Sequence, residues 1–313
     1  LIGCGNWGKN IARNLLEMGS LACIYDPASS QAKEFMDKNK LPELSLEEIL
    51  LSKDIKGVII ASPAQTHREI AIQAIENNKD VLIEKPFCLS LKDAKAISDH
   101  AIKKNSILMV GHLLNYHNVF IEMKKQINEG KIGSIKNIRA HRLALGSIRQ
   151  FESVIYDLAA HDISMVLAIT KELPTKILAH SIHHNSNVGP DAISVKLSFQ
   201  NGITVLLNSD WMCPYKEHRF SIIGTKGSLI FDDTREWDDK LYFNPSTIKS
   251  DNAIDLVPST RIIVKKNEPL KNELEVFIDA IQTRKSPITN YKEAIGVQTV
   301  MEMIENKLKN NQA

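Results

Sequence analysis

The chain has 313 residues, 43% of them hydrophobic and 24% charged, with 39 Lys and Arg set against 37 Asp and Glu for a net charge of +2. Single cores stop growing at roughly 250 to 300 residues, so two domains are expected. The composition excludes a disordered or fibrous chain, and the small net charge excludes a long-range field for holding a polyanion such as DNA. The four cysteines, Cys4, Cys23, Cys88 and Cys213, lack the spacing of a metal site or a disulfide framework. Apolar runs such as Gly57-Val-Ile-Ile-Ala61 are too short to span a bilayer. The expectation is a cytoplasmic protein with no nucleic-acid, metal or membrane partner.

Leu1-Ile2-Gly3 reads as the tail of a strand whose beginning precedes residue 1. Up to residue 111, short β-branched apolar runs at 1–2, 21–25, 57–61, 81–83 and 107–110 alternate with amphipathic stretches at 7–18, 29–39, 46–51, 67–77 and 91–104. This is the rhythm of βα units in a parallel sheet, and strands apolar on both faces require helices on each side. Residues 1–113 are therefore expected to form a doubly wound α/β domain.

After residue 130 longer alternating strands follow at 135–145, 192–199, 203–211, 220–223 and 228–231. Asn201-Gly202 between two of them predicts a two-residue hairpin with positive φ at both turn positions. Helices are expected at 119–129, 154–169, 270–283 and 291–308, and a polar loop at 246–252. Residues 114–313 thus read as an α+β domain on a large, open, mostly antiparallel sheet, with the last helix able to pack on the first domain. An exposed sheet face of this kind suits a homodimer or homotetramer.

Gly3-Cys4-Gly5-Asn6-Trp7-Gly8 places three glycines at a strand-to-helix junction. Gly3 suits a tight turn, Gly5 a close approach of pyrophosphate, and Gly8 close helix–strand packing. The second strand ends at Asp26, where a carboxylate can accept from adenosine ribose hydroxyls and repel a 2′-phosphate, which favours NAD over NADP. The residue types leave a turn or capping role for Asp26 open.

Glu84-Lys85-Pro86 ends the strand at 81–83, on the carboxyl edge where doubly wound sheets bind ligands. Together with Gly3–Gly8, the loop Ser62-Pro63-Ala64-Gln65-Thr66-His67, Gly111-His112 and Asp157-Leu-Ala-Ala-His161-Asp162, it resembles the Gfo/Idh/MocA dehydrogenases over essentially the whole chain. The resemblance implies a Rossmann domain followed by an open-sheet domain for substrate and oligomer contacts. It also implies a cis Pro86, a Lys85 that meets cofactor ribose and substrate, and a cofactor site drawn from Gly3, Gly5, Asn6, Trp7, Gly8, Asp26, Ser62, Pro63, His67, Glu84, Lys85 and Pro86.

Asp157 and His161, spaced i, i+4, are expected on one helix face, where a carboxylate and an imidazole suit general acid/base work. A structural role for His161 on a helix face is the alternative. By the resemblance, Lys85, Asp157 and His161 surround the reacting hydroxyl, with His161 as base. Tyr116, Arg142 and Tyr215 are expected to face the substrate, and Arg149 and Trp211 also stand near that region of the sequence. Asp162 is expected to cap a helix or bridge subunits. His183 and His184, adjacent in a turn, are not expected to ligate metal.

The expected activity is hydride transfer between NAD and a ring hydroxyl or ketone of a sugar-like substrate. Similarity of 142–146 and 211–215 to polysaccharide-pathway members of the family implies a nucleotide-diphosphate sugar. The alternatives are an inositol, free-sugar or dihydrodiol dehydrogenase, and a non-catalytic nucleotide-binding regulator.

Overall fold

Ile2 forms parallel bridges to Tyr25 on one side and Ile60 on the other, at the centre of the first sheet. A computed structural model describes residues 1–146, 148–149, 151–183, 189–248 and 254–312. Beyond Ile60 the sheet continues in parallel through β1 (Gly57–Ile60), β2 (Asp80–Ile83) and β3 (Leu108–Val110). Ile2, Val58, Ile60, Val81, Ile83, Leu108 and Val110 are all buried, as strands covered on both faces require. The expected strands at 1–2 and 21–25 appear only as these single bridges, because Leu1 and Ile2 offer just two residues to pair with.

Helices α1 (Gly8–Glu17), α2 (Ser30–Asn39), α3 (Leu46–Leu51), α4 (Ala64–Glu76) and α5 (Leu91–Lys104) separate the strands. Ser29, Ser45 and Ser90 cap α2, α3 and α5, and Ser45 with Glu48 completes a reciprocal capping box. Helix α4 starts three residues before the expected residue 67, with Pro63 at its N-cap.

Among the described residues the second sheet has eight strands. They are drawn from β4 (Ile135–Leu143), β5 (Lys176–Ile182), β6 (Ala192–Ser198), β7 (Thr204–Asp210), β8 (Glu217–Gly224), β9 (Ser228–Asp232) and β10 (Leu241–Asn244). After a small hairpin of β11 (Thr247–Ile248) and β12 (Ile254–Asp255), β13 (Thr260–Arg261) completes the set. The order is β13-β10-β9-β8-β4-β7-β6-β5, antiparallel throughout except for β4 beside β7. One face is apolar and buried through Ile138, Ala140, Val195, Leu197, Val205, Leu207, Phe220 and Ile222, while Leu178 and Ile182 stand exposed on the edge strand. Residues 249–252 of the expected loop at 246–252 lie outside the described residues.

The Asn201-Gly202 hairpin differs from expectation. Only Gly202 has positive φ, +84°, and the Gly202 amide donates to the Phe199 carbonyl. The connection is therefore a three-residue loop with Gly202 in the left-handed position, so Asn201 needs no strained backbone.

Helix α6 (Asn118–Asn128) precedes β4, and α7 (Ala160–Thr170) follows a π-helical turn at Ile155–Ala159. Two more helices, α8 (Pro269–Thr283) and α9 (Tyr291–Gln312), end the chain. The chain divides into two compact units, Leu1–Leu113 with Glu268–Gln298, and Leu114–Asn267 with the residues from Thr299 on. Residues 268–298 lie with the first unit, where the last helix was expected to be able to pack although the second region was expected to hold 114–313. There Asn14 donates to Glu268 at 2.8 Å and Arg284 to Asp80 at 2.5 Å.

Candidate functional site

In the first unit the glycine turn has three different physical requirements. Gly3 has φ +90°, and a Cβ there would lie 2.5 Å from the Ser62 amide nitrogen. A Cβ on Gly8 would lie 2.5 Å from the Gly3 carbonyl oxygen. At Gly5 a Cβ would meet nothing, so the space beside its backbone is left to a ligand. Helix α1 has no side-chain cap and no acidic residue in its first turn, which leaves its amide donors and positive dipole end for an anion.

Asp26 does not cap α2, which Ser29 does. Its Oδ2 accepts from the Cys4 amide at 2.7 Å and its Oδ1 from the Ala28 amide at 3.1 Å. Gly3, Gly5, Tyr25, Asp26, Ser62, Pro63 and Thr66 line a cavity of about 600 Å³. Open space at Gly5, uncapped amides and a carboxylate at the cavity wall together fit the pyrophosphate and adenosine ribose of NAD. Asn6 is exposed on the same turn.

The peptide between Lys85 and Pro86 is cis. Two side chains hold this segment. Glu84 Oε2 accepts from the Lys85 amide at 3.2 Å and its Oε1 accepts from the Trp7 indole N–H at 2.7 Å. His67 stands with Nε2 2.8 Å from the Ser62 carbonyl and Nδ1 3.0 Å from the Pro86 carbonyl. His67 is almost fully buried, and its two ring nitrogens bridge the Ser62 loop and Pro86. Burial pushes the His67 pKa down, against its carbonyl contacts.

Glu84, named in the sequence motif, belongs to an acidic cluster whose other members, Glu273 and Glu293, sequence reasoning missed. Burial raises the Glu84 carboxyl, opposed by the Trp7 donor, Lys85 and His112. Glu273, on α8, is raised well above the carboxylate range by burial and by the charges of Glu84 and Glu293. His112 Nδ1 lies 2.7 Å from Glu293 Oε2, on α9. A Cβ on Gly111 would stand 2.9 Å from Glu84 Oε2, which explains the glycine before His112. The sequence carried no signal for Glu273 and Glu293, which come from helices far along the chain.

In the second unit Asp157 and His161 do not share one regular helix. Asp157 lies in the π-helical turn and His161 in the first turn of α7. Single-turn π segments are frequent at functional sites. The Asp157 carboxylate, 5% exposed, accepts from the Trp211 indole N–H at 3.0 Å and from Arg149 Nη2 at 3.3 Å. These two donors fix a buried carboxylate one helical turn before the partly exposed imidazole.

Arg142, expected to face the substrate, is instead held in the interior. Its buried guanidinium makes a two-point pair with Asp162, Nε to Oδ2 at 3.0 Å and Nη2 to Oδ1 at 2.9 Å, tying β4 to α7. Asp162 is thereby engaged with Arg142 within its own unit and does not cap α7. Tyr116 is buried in a 3₁₀ turn, Leu113–Tyr116. Tyr215 is exposed and lines a cavity of about 300 Å³ with His180, Asn208, Asp210 and Cys213. Among the described residues no three His, Cys, Asp or Glu side chains are grouped as metal ligands, and no helix is long and apolar enough to cross a membrane. His184 lies outside the described residues.

Two family models match the chain: the oxidoreductase family with NAD-binding Rossmann fold over residues 1–112, and the GFO/IDH/MocA C-terminal domain over 120–230. The chain is 24% identical over 306 residues to scyllo-inositol 2-dehydrogenase (NAD(+)) of Bacillus subtilis, covering 92% of this chain and 87% of that one. It is 28% identical over 250 residues to 2,7-anhydro-N-acetylneuraminate hydratase of Escherichia coli, covering 74% and 66%. Among solved structures, UDP-N-acetylglucosamine 3-dehydrogenase of Acidithiobacillus ferrooxidans superposes with a TM-score of 0.86 at 21% identity, covering 99% and 96%.

Proposed function

The chain belongs to the Gfo/Idh/MocA family of NAD-dependent oxidoreductases, and on that footing we propose that it oxidises a ring hydroxyl of a nucleotide-diphosphate sugar to the ketone, or runs the reverse reaction. The observation that carries the catalytic reading is the Asp157 carboxylate, buried and held by Trp211 and Arg149, one turn before His161. A carboxylate fixed by two donors supplies constant orientation and charge to a neighbouring imidazole, as acid/base catalysis requires.

NAD, which the Gly3–Gly8 turn and Asp26 would hold, would supply the acceptor for the hydride on the substrate carbon. His161 removes the proton from the hydroxyl on that carbon and returns it in the reverse direction. The Lys85 ammonium opposes the negative charge that grows on the oxygen as the proton leaves. Asp157 orients the imidazole or accepts from the same hydroxyl. The amides of the Gly3–Gly8 turn bind the pyrophosphate, and Asp26 selects the unphosphorylated ribose.

A nucleotide diphosphate is favoured over a free sugar or inositol by Arg149. Its side chain is 51% exposed while Nη2 meets Asp157 at 3.3 Å and Nε lies 3.8 Å from Glu152, so the exposed remainder of the guanidinium offers donors to an anion beside the catalytic carboxylate. Tyr215, which is exposed, is assigned to the substrate wall, whereas the buried Tyr116 is not, and the protein is assigned to the cytoplasm as a homodimer or homotetramer.

The test is nicotinamide reduction by the purified protein with NAD or NADP against UDP-sugars, free sugars and inositols. NADH formation with a UDP-sugar, lost by at least about 100-fold in Lys85→Met and in His161→Ala, is the expected result. Turnover within about threefold of wild type in both variants refutes the assignment of acid and base. Turnover of an inositol alone refutes the nucleotide-sugar reading and leaves the dehydrogenase reading standing.

A further inference from the structure

Trp7 is an unusual residue for the N-cap of a helix, where Ser, Thr, Asp and Asn are favoured because their side chains accept from the first amides. It makes no such cap, and 42% of it is exposed. The polar atom of the ring is nevertheless engaged: its indole N–H donates to Glu84 Oε1 at 2.7 Å, across 77 residues of sequence. The other oxygen of the same carboxylate receives the Lys85 amide at 3.2 Å.

The Glu84 carboxylate is confined on its remaining sides. It is 8% exposed, and its oxygens lie where a Cβ on Gly111 would have to be, at 2.9 and 3.3 Å. Lys85 and His112 are the cationic or titratable groups that face it from the segment after β2 and from the turn after β3, and Glu273 on α8 faces it as a like charge, with Glu293 on α9 next to both Glu273 and His112. A carboxylate shielded from solvent and repelled from one side needs its donors. Of the donors and charges named here, Trp7 is the one that comes from the dinucleotide-binding turn.

We infer that Trp7 is a positioning residue for Lys85, acting through Glu84: the indole N–H holds the carboxylate where it also receives the Lys85 amide, so that the dinucleotide-binding turn and the lysine peptide are set as one unit. The inference rests on the role given to Lys85 above, since positioning matters only if Lys85 meets the substrate. The physical link itself lies wholly within the first unit and exists without cofactor.

The consequence is specific. Trp7→Phe keeps an aromatic ring and removes one N–H donor. A hydrogen bond to a charged group contributes roughly 10- to 100-fold to an equilibrium, so the carboxylate loses a corresponding part of its hold on its place. The Lys85 amide, which depends on that place, then opens more often, while the amides of Val81, Leu82 and Ile83 in the preceding strand β2 keep their ladder partners.

The experiment is amide hydrogen exchange, resolved to single residues, on the protein without NAD or sugar. Trp7→Phe is expected to speed exchange at Lys85 by at least about tenfold, with Val81 to Ile83 unchanged. A merely structural role for the ring would move all four together or none. Unchanged Lys85 exchange in a folded Trp7→Phe protein overturns the inference. If Trp7→Phe does not fold, Glu84→Gln decides, because its one acceptor oxygen can take the place of Oε1 or of Oε2 but not of both: faster Lys85 exchange supports the link and unchanged exchange overturns it.

With a turned-over substrate in hand, kcat is expected to fall about tenfold in Trp7→Phe while KM for the sugar stays within about threefold, the split expected of a displaced catalytic group. Failure of the exchange result removes the positioning role and leaves the dehydrogenase reading intact. Faster Lys85 exchange in a protein that turns over no sugar removes the dehydrogenase reading and leaves the physical link.

Discussion

His117 caps helix α6 with a ring nitrogen, and this makes the second unit sensitive to acid. Its Nδ1 accepts from the Val119 amide at 3.1 Å, an interaction open only to an unprotonated Nδ1. The ring is buried, stacked on Trp237 with centroids 5.0 Å apart and tilted against Phe231 at the same distance. The charged groups facing it are Asp233, whose Oδ1 is 3.7 Å from Nε2, and Lys240. Burial dominates and lowers the His117 pKa from 6.5 to about 4, despite Asp233. The unfolded chain therefore takes up a proton at a higher pH than the folded one. Stability from neutral His117 is complete above pH 6.5 and is lost as pH falls through the interval down to 4. A pKa lowered by one makes protonation of the folded state about 1.4 kcal/mol harder, so the full loss is about 3 kcal/mol, most of it reached by about pH 4.5. His117→Asn supplies a good N-cap that does not titrate. Urea unfolding followed by tryptophan emission at about pH 7 and 4.5 is expected to show wild type losing about 2 to 3 kcal/mol more than His117→Asn between the two pH values. Parallel curves for the two proteins would refute a neutral buried His117. Wild type gaining on the variant in acid would mean that the Asp233 pair outweighs desolvation.

Arg142→Ala is expected to destabilise the second unit by roughly 3 to 5 kcal/mol, because it leaves Asp162 buried without its two-point partner; denaturant unfolding measures this, and a loss below about 1 kcal/mol would restore Arg142 as a substrate residue. Asp26→Ala is expected to weaken NAD binding roughly 10- to 100-fold, the worth of hydrogen bonds to a charged group, without a matching loss for NADP. Isothermal titration with each dinucleotide checks it, and equal NAD affinity before and after the change would refute the ribose assignment.

The parts of the fold that were legible in the sequence are those in which one periodicity runs unbroken. Helix α5 has a capping Ser90, an apolar stripe through Ala94, Ile97 and Ala101, and a left-handed Asn105 to stop it, and its bounds are those the pattern predicts. Strand β5 was not anticipated although Ile177 and Ala179 alternate correctly, since an edge strand with Leu178 and Ile182 exposed has no clean apolar-in, polar-out contrast. The Asn201-Gly202 turn shows the limit of a dipeptide signal. The same two residues serve a two-residue loop or, as here, the end of a three-residue loop, and the register of the flanking strands decides between them.

At the site, sequence motifs named residues but not their partners, and partners decide what a side chain is free to do. Arg142 and Arg149 are equivalent on paper, seven residues apart near one strand end. Asp162 holds the first by two bonds in the interior, while the second keeps half its surface open and touches Asp157 from outside. His67 and His161 are likewise both histidines in family motifs, yet both ring nitrogens of His67 meet carbonyl oxygens. The spacing of Asp157 and His161 illustrates why such facts are hidden. An i, i+4 pair predicts one face only if every intervening hydrogen bond is α-helical, and the π turn at Ile155–Ala159 changes the rotation between them. No local pattern in 153–161 announces that turn. Its neighbours by contact include Trp211 and Arg149, and the need to bring the Asp157 carboxylate within 3.0 Å of the Trp211 indole supplies a tertiary reason for a local departure that propensity would oppose.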